Sequence, residues 1–169
     1  GVEVVNNLRN LKEALKKSRE VSDEIFLEDY IEGELIAYSV VIKNQKIIYG
    51  FTGRDDTYKN KYLITSAYPI KLKTITQNKL RSDVEKISKI LSLVDGMFHL
   101  QVIIRDNVPY IIDVTRRIPG DLYPYLIEYC DKVEYSKAVV KSYIGEPFTN
   151  ELITDKEQEF VIRHCVMSN

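Results

Sequence analysis

The sequence predicts an α+β fold, a mostly antiparallel sheet with flanking helices. Three observations carry this. β-rich segments come in pairs joined by short polar turns, at Asn44-Gln45 and at Asp106-Asn107. Two long stretches carry apolar residues at helical spacing. The helices group around the hairpins instead of alternating with single strands, which argues against a parallel sheet.

The elements follow in order. Val2 to Val5 reads as a short strand. Asn6 and Asn7 are good caps for a helix whose stripe is Leu8, Leu11, Ala14 and Leu15 and whose end falls near Ser22-Asp23. Ile25 to Leu27 starts a short strand closed by Tyr30 to Gly33. Leu35 to Lys43 and Lys46 to Thr52 form a hairpin, and the polar run Gly53 to Asn60 reads as a loop. Tyr62 to Ile70 is a further strand. Thr76 to Val94 is the longest helix, with Leu80, Val84, Ile87, Leu91 and Val94 on one side and Gly96 as its C-terminal cap. Met97 to Ile104 and Val108 to Val114 make the second hairpin. Thr115 to Asp121 is a loop, Leu122 to Tyr129 and Tyr135 to Ile144 are helices, and Phe160 to Val166 is a final strand.

Bulk properties narrow the class. A chain of 169 residues can bury one sizeable core, and 44% hydrophobic with 29% charged residues excludes disorder. The net charge of -1 gives no polybasic surface, so neither nucleic acid nor membrane is expected as a partner. No apolar run approaches the roughly 20 residues of a membrane-spanning helix. Cys130 and Cys165 lack metal-ligand spacing, which suggests reduced thiols and a cytoplasmic setting.

Three constellations carry chemistry. In Leu27 to Glu34, a short apolar-acidic crossing ends at Gly33. Its backbone can present N–H and C=O groups to a flat heterocycle between Tyr30 and Ile31, and the carboxylates beyond can accept from ribose hydroxyls. The same pattern also suits a solvated turn. Next, Asp113 and Thr115 share one side of an otherwise apolar strand, and Gln101 sits on the facing strand with His99 and Ile103. A carboxylate there needs a partner, and a hard cation such as Mg²⁺ is one; an acid capping a strand end is the plainer alternative. A two-residue turn at Asp106-Asn107 would put Gln101 opposite Ile112, with Asp113 on the other face. A metal site therefore predicts an odd-length or bulged turn. Third, Arg116 and Arg117 lie in the Pro119-Gly120 loop just after the acidic strand, where guanidinium groups can bind phosphate; a solvated basic loop is the plainer alternative.

Together these segments resemble the ATP-grasp superfamily of carboxylate–amine ligases. Leu27 to Glu34 resembles its E-E-Y-I-x-G-E hinge. Gly96 to Gln101 resembles G-x-F-H-x-E. Asp113 to Gly120 resembles E-x-N-P-R-x-x-G. The order and spacing agree, and the likeness spans about Gly1 to Gly145.

The resemblance implies the C-terminal, glutathione-synthetase-like ATP-binding subdomain, with ATP and Mg as cofactors. Glu28, Asp29, Tyr30 and Ile31 would line the adenine, and Glu34 would hold the ribose. Gln101, Asp113 and Thr115 would face magnesium. Arg117 would touch the terminal phosphate or an acyl phosphate. Arg54 and, more weakly, Lys59 would be further substrate or phosphate contacts. The reaction implied is activation of a small-molecule carboxylate by ATP and its capture by an amine. Oligomeric state stays open, a homodimer included. Gln101, Asp113 and Thr115 replace the usual Glu, Glu and Asn, so the site carries less charge. This variation, with T-x-R-x-x-G, is closest to the carbamoyl-phosphate synthase large-chain-like branch. The expected organisation is a partial ATP-grasp domain over residues 1–145, lacking its N-terminal parts and not expected to turn over alone. A tail over 146–169 would carry a last strand.

Overall fold

The computed structural model describes residues 2–58, 63–120 and 122–166. The chain divides into two compact units, Gly1–Glu32 and Gly33–Asn169.

In the first unit, helix α1 (Leu8–Arg19) starts at Asn7, whose side chain accepts from the Asn10 amide at 2.9 Å. Ala14 is its buried residue, and Lys16, Lys17 and Arg19 cluster at the C-terminus, where cations suit the helix dipole. Val2–Val5 and Ile25–Leu27 are not strands. Their apolar residues have no ladder partner, and Phe26 stays exposed. Propensity alone does not make a strand when backbone pairing is missing.

The second unit is built on six strands: β1 (Glu34–Lys43), β2 (Lys46–Thr57), β3 (Ile64–Pro69), β4 (Gly96–Arg105), β5 (Val108–Thr115) and β6 (Arg163–His164). Their order is β5-β4-β1-β2-β3-β6, and every pairing is antiparallel. Helix α2 (Thr74–Ile90) crosses from β3 to β4. Helices α3 (Tyr123–Asp131) and α4 (Tyr135–Ile144) and a 3-10 turn at Asn150–Leu152 follow β5.

Alternation along the strands divides the core in two. Ile36, Tyr38, Val40 and Ile42 of β1 pack with Phe98, Leu100 and Val102 of β4 against Leu80 and Val84 of α2. Ala37 and Val41 point the other way, with Phe51 and Met97, onto α3 and α4. Since strand side chains alternate at period two, β1 serves both layers and is buried from Ile36 through Ile42.

Several boundaries differ from expectation. Gly53–Thr57 continues β2 and is not a loop. The polar residues are accommodated by alternation: Asp55 is buried, while Arg54 and Asp56 emerge on the opposite face and pair with each other. Helix α2 ends before Leu91, and Ser92 takes a left-handed conformation (φ 48°). Gly96 instead opens β4 at φ +131°, where a Cβ would meet Ser142 Oγ at 3.2 Å and Arg116 Nη2 at 3.3 Å. Phe160–Val166 contracts to the two-residue β6, which pairs with Ser66 and Ala67. The residues before it are held by other bonds, such as Glu159 N–H to Cys130 O (2.8 Å). Lys59 and Tyr62 lie outside the described residues.

Candidate functional site

Both hairpins turn on two residues with positive φ: Asn44 (50°) and Gln45 (61°), then Asp106 (53°) and Asn107 (65°). That is the type I′ geometry matched to strand twist. The predicted odd-length turn is therefore absent. The odd residue enters further along. Val102 pairs with Ile111, but the next residue of β4, Gln101, pairs with Asp113. Ile112 is the extra residue, a β-bulge, and it is exposed. Beyond it Leu100 faces Val114 and His99 faces Thr115.

The bulge sets the faces. Ile111 packs toward α2. Asp113 and Thr115 emerge with Gln101 and His99 on the α3/α4 face. Beside this row, on the adjoining strands, lie small residues: Ala37 pairs with both Gln101 and Gly53. A Cβ on Gly53 would meet Tyr123 Oη at 2.6 Å, so the glycine lets the ring approach.

His99 is the buried member of the row. Its Nδ1 and Ser39 Oγ share a hydrogen bond of 2.8 Å, and its ring meets Tyr123 edge-on at 5.5 Å. Burial pushes the imidazole down to about 4; Asp113 pulls the other way and Arg117 adds to the depression. The ring is thus neutral at pH 7. Gln101 and Thr115 are half-buried, and Asp113 is exposed.

The two arginines have separate tasks. Arg116 donates through Nη2 to Val94 O (2.9 Å) and Asp95 O (3.3 Å), and the Tyr143 hydroxyl donates to its carbonyl. It fastens the α2–β4 connection. Arg117 is exposed and, among the described residues, donates only locally, to Ile118 O at 3.2 Å.

Glu34 and Arg54 are brought together elsewhere. Arg54 Nη1 meets Glu34 Oε1 and its Nε meets Asp56 Oδ1, each at 3.1 Å. Their strand parity places them on the α2 face, away from Gln101, Asp113 and Thr115. Glu28, Asp29, Tyr30 and Ile31 belong to the first unit; the first three are exposed and Ile31 is half-buried. Sequence reasoning did not assign His99 a part, although its place two residues before Gln101 on one strand face was the available signal. Two concave regions of about 320 and 630 Å³ lie at other places, around Tyr49, Asp131 and Leu152 and around Phe51, Leu72 and Phe160.

This antiparallel sheet and its flanking helices have the ATP-grasp fold, in its C-terminal portion. In sequence the chain is similar to the carbamoyl phosphate synthase large chain of Sulfurisphaera tokodaii, 33% identical over 129 residues, which are 69% of this chain and 11% of that one. In structure it is similar to phosphoribosylglycinamide synthetase from Anaerococcus prevotii, with a TM-score of 0.73 and 21% identity over 92% of this chain and 41% of that one. It is also similar to D-alanine–D-alanine ligase from Bacillus anthracis, solved with ATP, with a TM-score of 0.64 and 21% identity over 89% of this chain and 48% of that one. No family model matches the chain. The chain thus spans about a tenth of its curated relative and under half of these two structures. Among the described residues no helix is long and apolar enough to cross a membrane.

Proposed function

We propose that this chain is part of an ATP-dependent carbon–nitrogen ligase that activates a small-molecule carboxylate as an acyl phosphate for attack by an amine. The direct pairing of Gln101 with Asp113, with Thr115 and His99 as the next pair, carries the reading. Four polar side chains on one sheet face, beside the small Ala37 and Gly53, are more than a strand end needs.

The donors suit magnesium. Asp113 carboxylate, Gln101 amide oxygen and Thr115 hydroxyl are hard oxygens, the type Mg²⁺ takes alongside phosphate oxygens. When bound, magnesium would offset charge on the transferred phosphoryl group. Arg117, exposed two residues beyond Thr115, would meet the phosphate or acyl-phosphate oxygens. His99, neutral and tied to Ser39, would shape the floor without adding charge. By their place in the hinge motif, Glu28, Asp29, Tyr30 and Ile31 would receive the adenine through backbone groups and apolar contact. Glu34, paired with Arg54 on the opposite sheet face, is left out of this nucleotide site.

The test is ADP formation by the protein this chain belongs to, with ATP, Mg²⁺ and a panel of carboxylates and amines. ADP that depends on both co-substrates, and is lost in Asp113→Asn and Arg117→Met, is expected. The 169-residue chain alone is expected to bind ATP weakly and not to turn over. A second reading has its own motive: the neutral Gln101 in a carboxylate position favours a nucleotide-binding module without catalysis. ATP binding with no ADP from any panel member would favour it.

A further inference from the structure

Helix α3 ends on a carboxylate with no cation beside it. Asp131 is its last residue, and Lys132 closes it in the left-handed conformation (φ 57°), donating its N–H to Glu128 O. A negative side chain there meets the negative end of the helix dipole. Burial adds to the cost, since Asp131 is 9% exposed. Its partners are neutral donors: the Tyr49 hydroxyl donates to Oδ2 at 2.6 Å and the Gln158 amide to Oδ1 at 2.8 Å. Burial and the bond to Asp131 raise the Tyr49 phenol far above its ordinary range, so it stays a donor. Among the described residues no salt bridge reaches Asp131, and the adjoining Lys132 is paired with Glu159 at 2.9 Å. Each carboxylate oxygen keeps a second lone pair.

The chain builds a cavity beside this group. It is pinned at two points, where Glu134 N–H donates to Glu151 O and Glu159 N–H donates to Cys130 O, each at 2.8 Å. Residues 152–158 arch between the pins. The cavity of about 320 Å³ that they close is lined by Asp131 and Gln158 and by the apolar surfaces of Tyr49, Val133 and Leu152. That volume suits a small molecule. Lys156, also in the lining, is exposed and forms no salt bridge among the described residues. The cavity is remote from the β4–β5 row. Tyr49 pairs with Val41 and Val41 with Met97, which puts Gln101 two strands across and four residues along, roughly 16 Å away by strand geometry.

A buried carboxylate held by neutral donors, beside a cavity with apolar walls, selects one class of occupant. We propose that this cavity binds a small aliphatic ammonium, its head on Asp131 and its carbon chain against Val133 and Leu152. An anion would be repelled by Asp131, and an alcohol of the same length would leave its charge unmatched. The site is separate from the nucleotide site proposed above and does not rest on that reading.

The experiment titrates the 169-residue chain with butylammonium at constant ionic strength. It follows the side-chain amide resonance of Gln158 and the melting temperature. A saturable shift of that resonance and a raised melting temperature are expected. Butan-1-ol is expected to bind ~10-fold or more weakly, the difference a charged hydrogen bond makes. No saturable response to butylammonium, or an equal response to butan-1-ol, overturns the proposal.

Three variants separate ligand binding from structure. Asp131→Asn can keep both bonds, because its oxygen accepts from Tyr49 and its amide donates to the Gln158 oxygen once that amide turns over. Without ligand it is expected to melt no lower than the natural chain, since an unmatched charge is removed. Its butylammonium affinity is expected to fall ~10-fold or more. A lower melting temperature, or unchanged affinity, overturns the proposal. Ile153→Trp fills the cavity from a residue that is 73% exposed. It should fold normally and lose the response, and retained binding would place the ammonium elsewhere. Lys156→Gln tests whether that side chain is itself the cation for Asp131. It should leave the melting temperature unchanged and butylammonium binding as tight or tighter; a lower melting temperature with weaker binding overturns the proposal.

Discussion

The β1–β2 and β4–β5 hairpins use the same device for different ends. Each turns on two residues in left-handed conformation, and each then inserts one exposed isoleucine as a bulge, Ile48 in the first and Ile112 in the second. In each the bulge moves the odd-numbered residues from the α2 face to the α3/α4 face. Ile47 packs toward α2, whereas Tyr49 and Phe51 pack toward α3 and α4. Ile111 packs toward α2, whereas Asp113 and Thr115 emerge beside Gln101 and His99. The first hairpin delivers aromatic rings to a core. The second delivers polar groups to a surface at the same sheet face. One backbone solution thus serves packing or chemistry according to the side chains placed after the bulge.

The strongest way to break this comparison is to truncate what each bulge delivers. Phe51→Ala should cost about 3–5 kcal/mol in denaturant unfolding, as for a large buried ring. Asp113→Ala should cost less than about 1 kcal/mol, because the side chain is exposed and fills no core. Comparable losses in the two variants would mean that Asp113 is structural, and the contrast between the hairpins would disappear.

A smaller effect is expected from removing the bulge itself. Deleting Ile112 joins Ile111 directly to Asp113, which then follows as the regular partner of Gln101. The variant should keep the cross-strand contact between residues 101 and 113 in nuclear Overhauser spectra. It should lose no more than about 1–2 kcal/mol, since an exposed residue of an edge strand is removed. Loss of that contact would show that the register depends on the bulge in a way the pairing does not account for.

The turns supply the smallest and sharpest test. Gln45→Gly should raise stability by about 0.5–1 kcal/mol, because Gln at φ 61° lacks a local reason to be left-handed. Asn107→Gly should change it by only a few tenths, since Asn tolerates that region. Differential scanning calorimetry of the two variants gives the comparison directly, and a larger gain at Asn107 would reverse the assignment of turn strain.

How much was legible in advance depends on the physics of each part. The hairpin turns were legible because Asn-Gln and Asp-Asn bias a local dihedral choice. The α2 stripe, with Leu80 and Val84, was legible because period 3.6 is local as well. The two short strands expected at Val2–Val5 and Ile25–Leu27 failed because a strand needs a partner that sequence does not reveal. The charged run Arg54-Asp55-Asp56 concealed a strand, since the burial of Asp55 and the Arg54–Glu34 pair arise only across neighbouring strands. Residue type did not separate Arg116 from Arg117, and only the motif singled out Arg117; the Val94 and Asp95 carbonyls make Arg116 a structural clamp, while Arg117 is exposed.

By itself, then, the order of residues determined the antiparallel α+β class, the candidate hinge and the chemistry of the row: one acid, one amide, one hydroxyl and a following arginine. Those are matters of composition and local pattern. Which side chains share a face was decided only by the tertiary structure. A two-residue turn put Gln101 and Asp113 on opposite sides, and a single bulged residue put them together. Side-chain direction in a sheet has period two, so one extra residue reverses every position beyond it, and pairing with β4 absorbs it at Ile112.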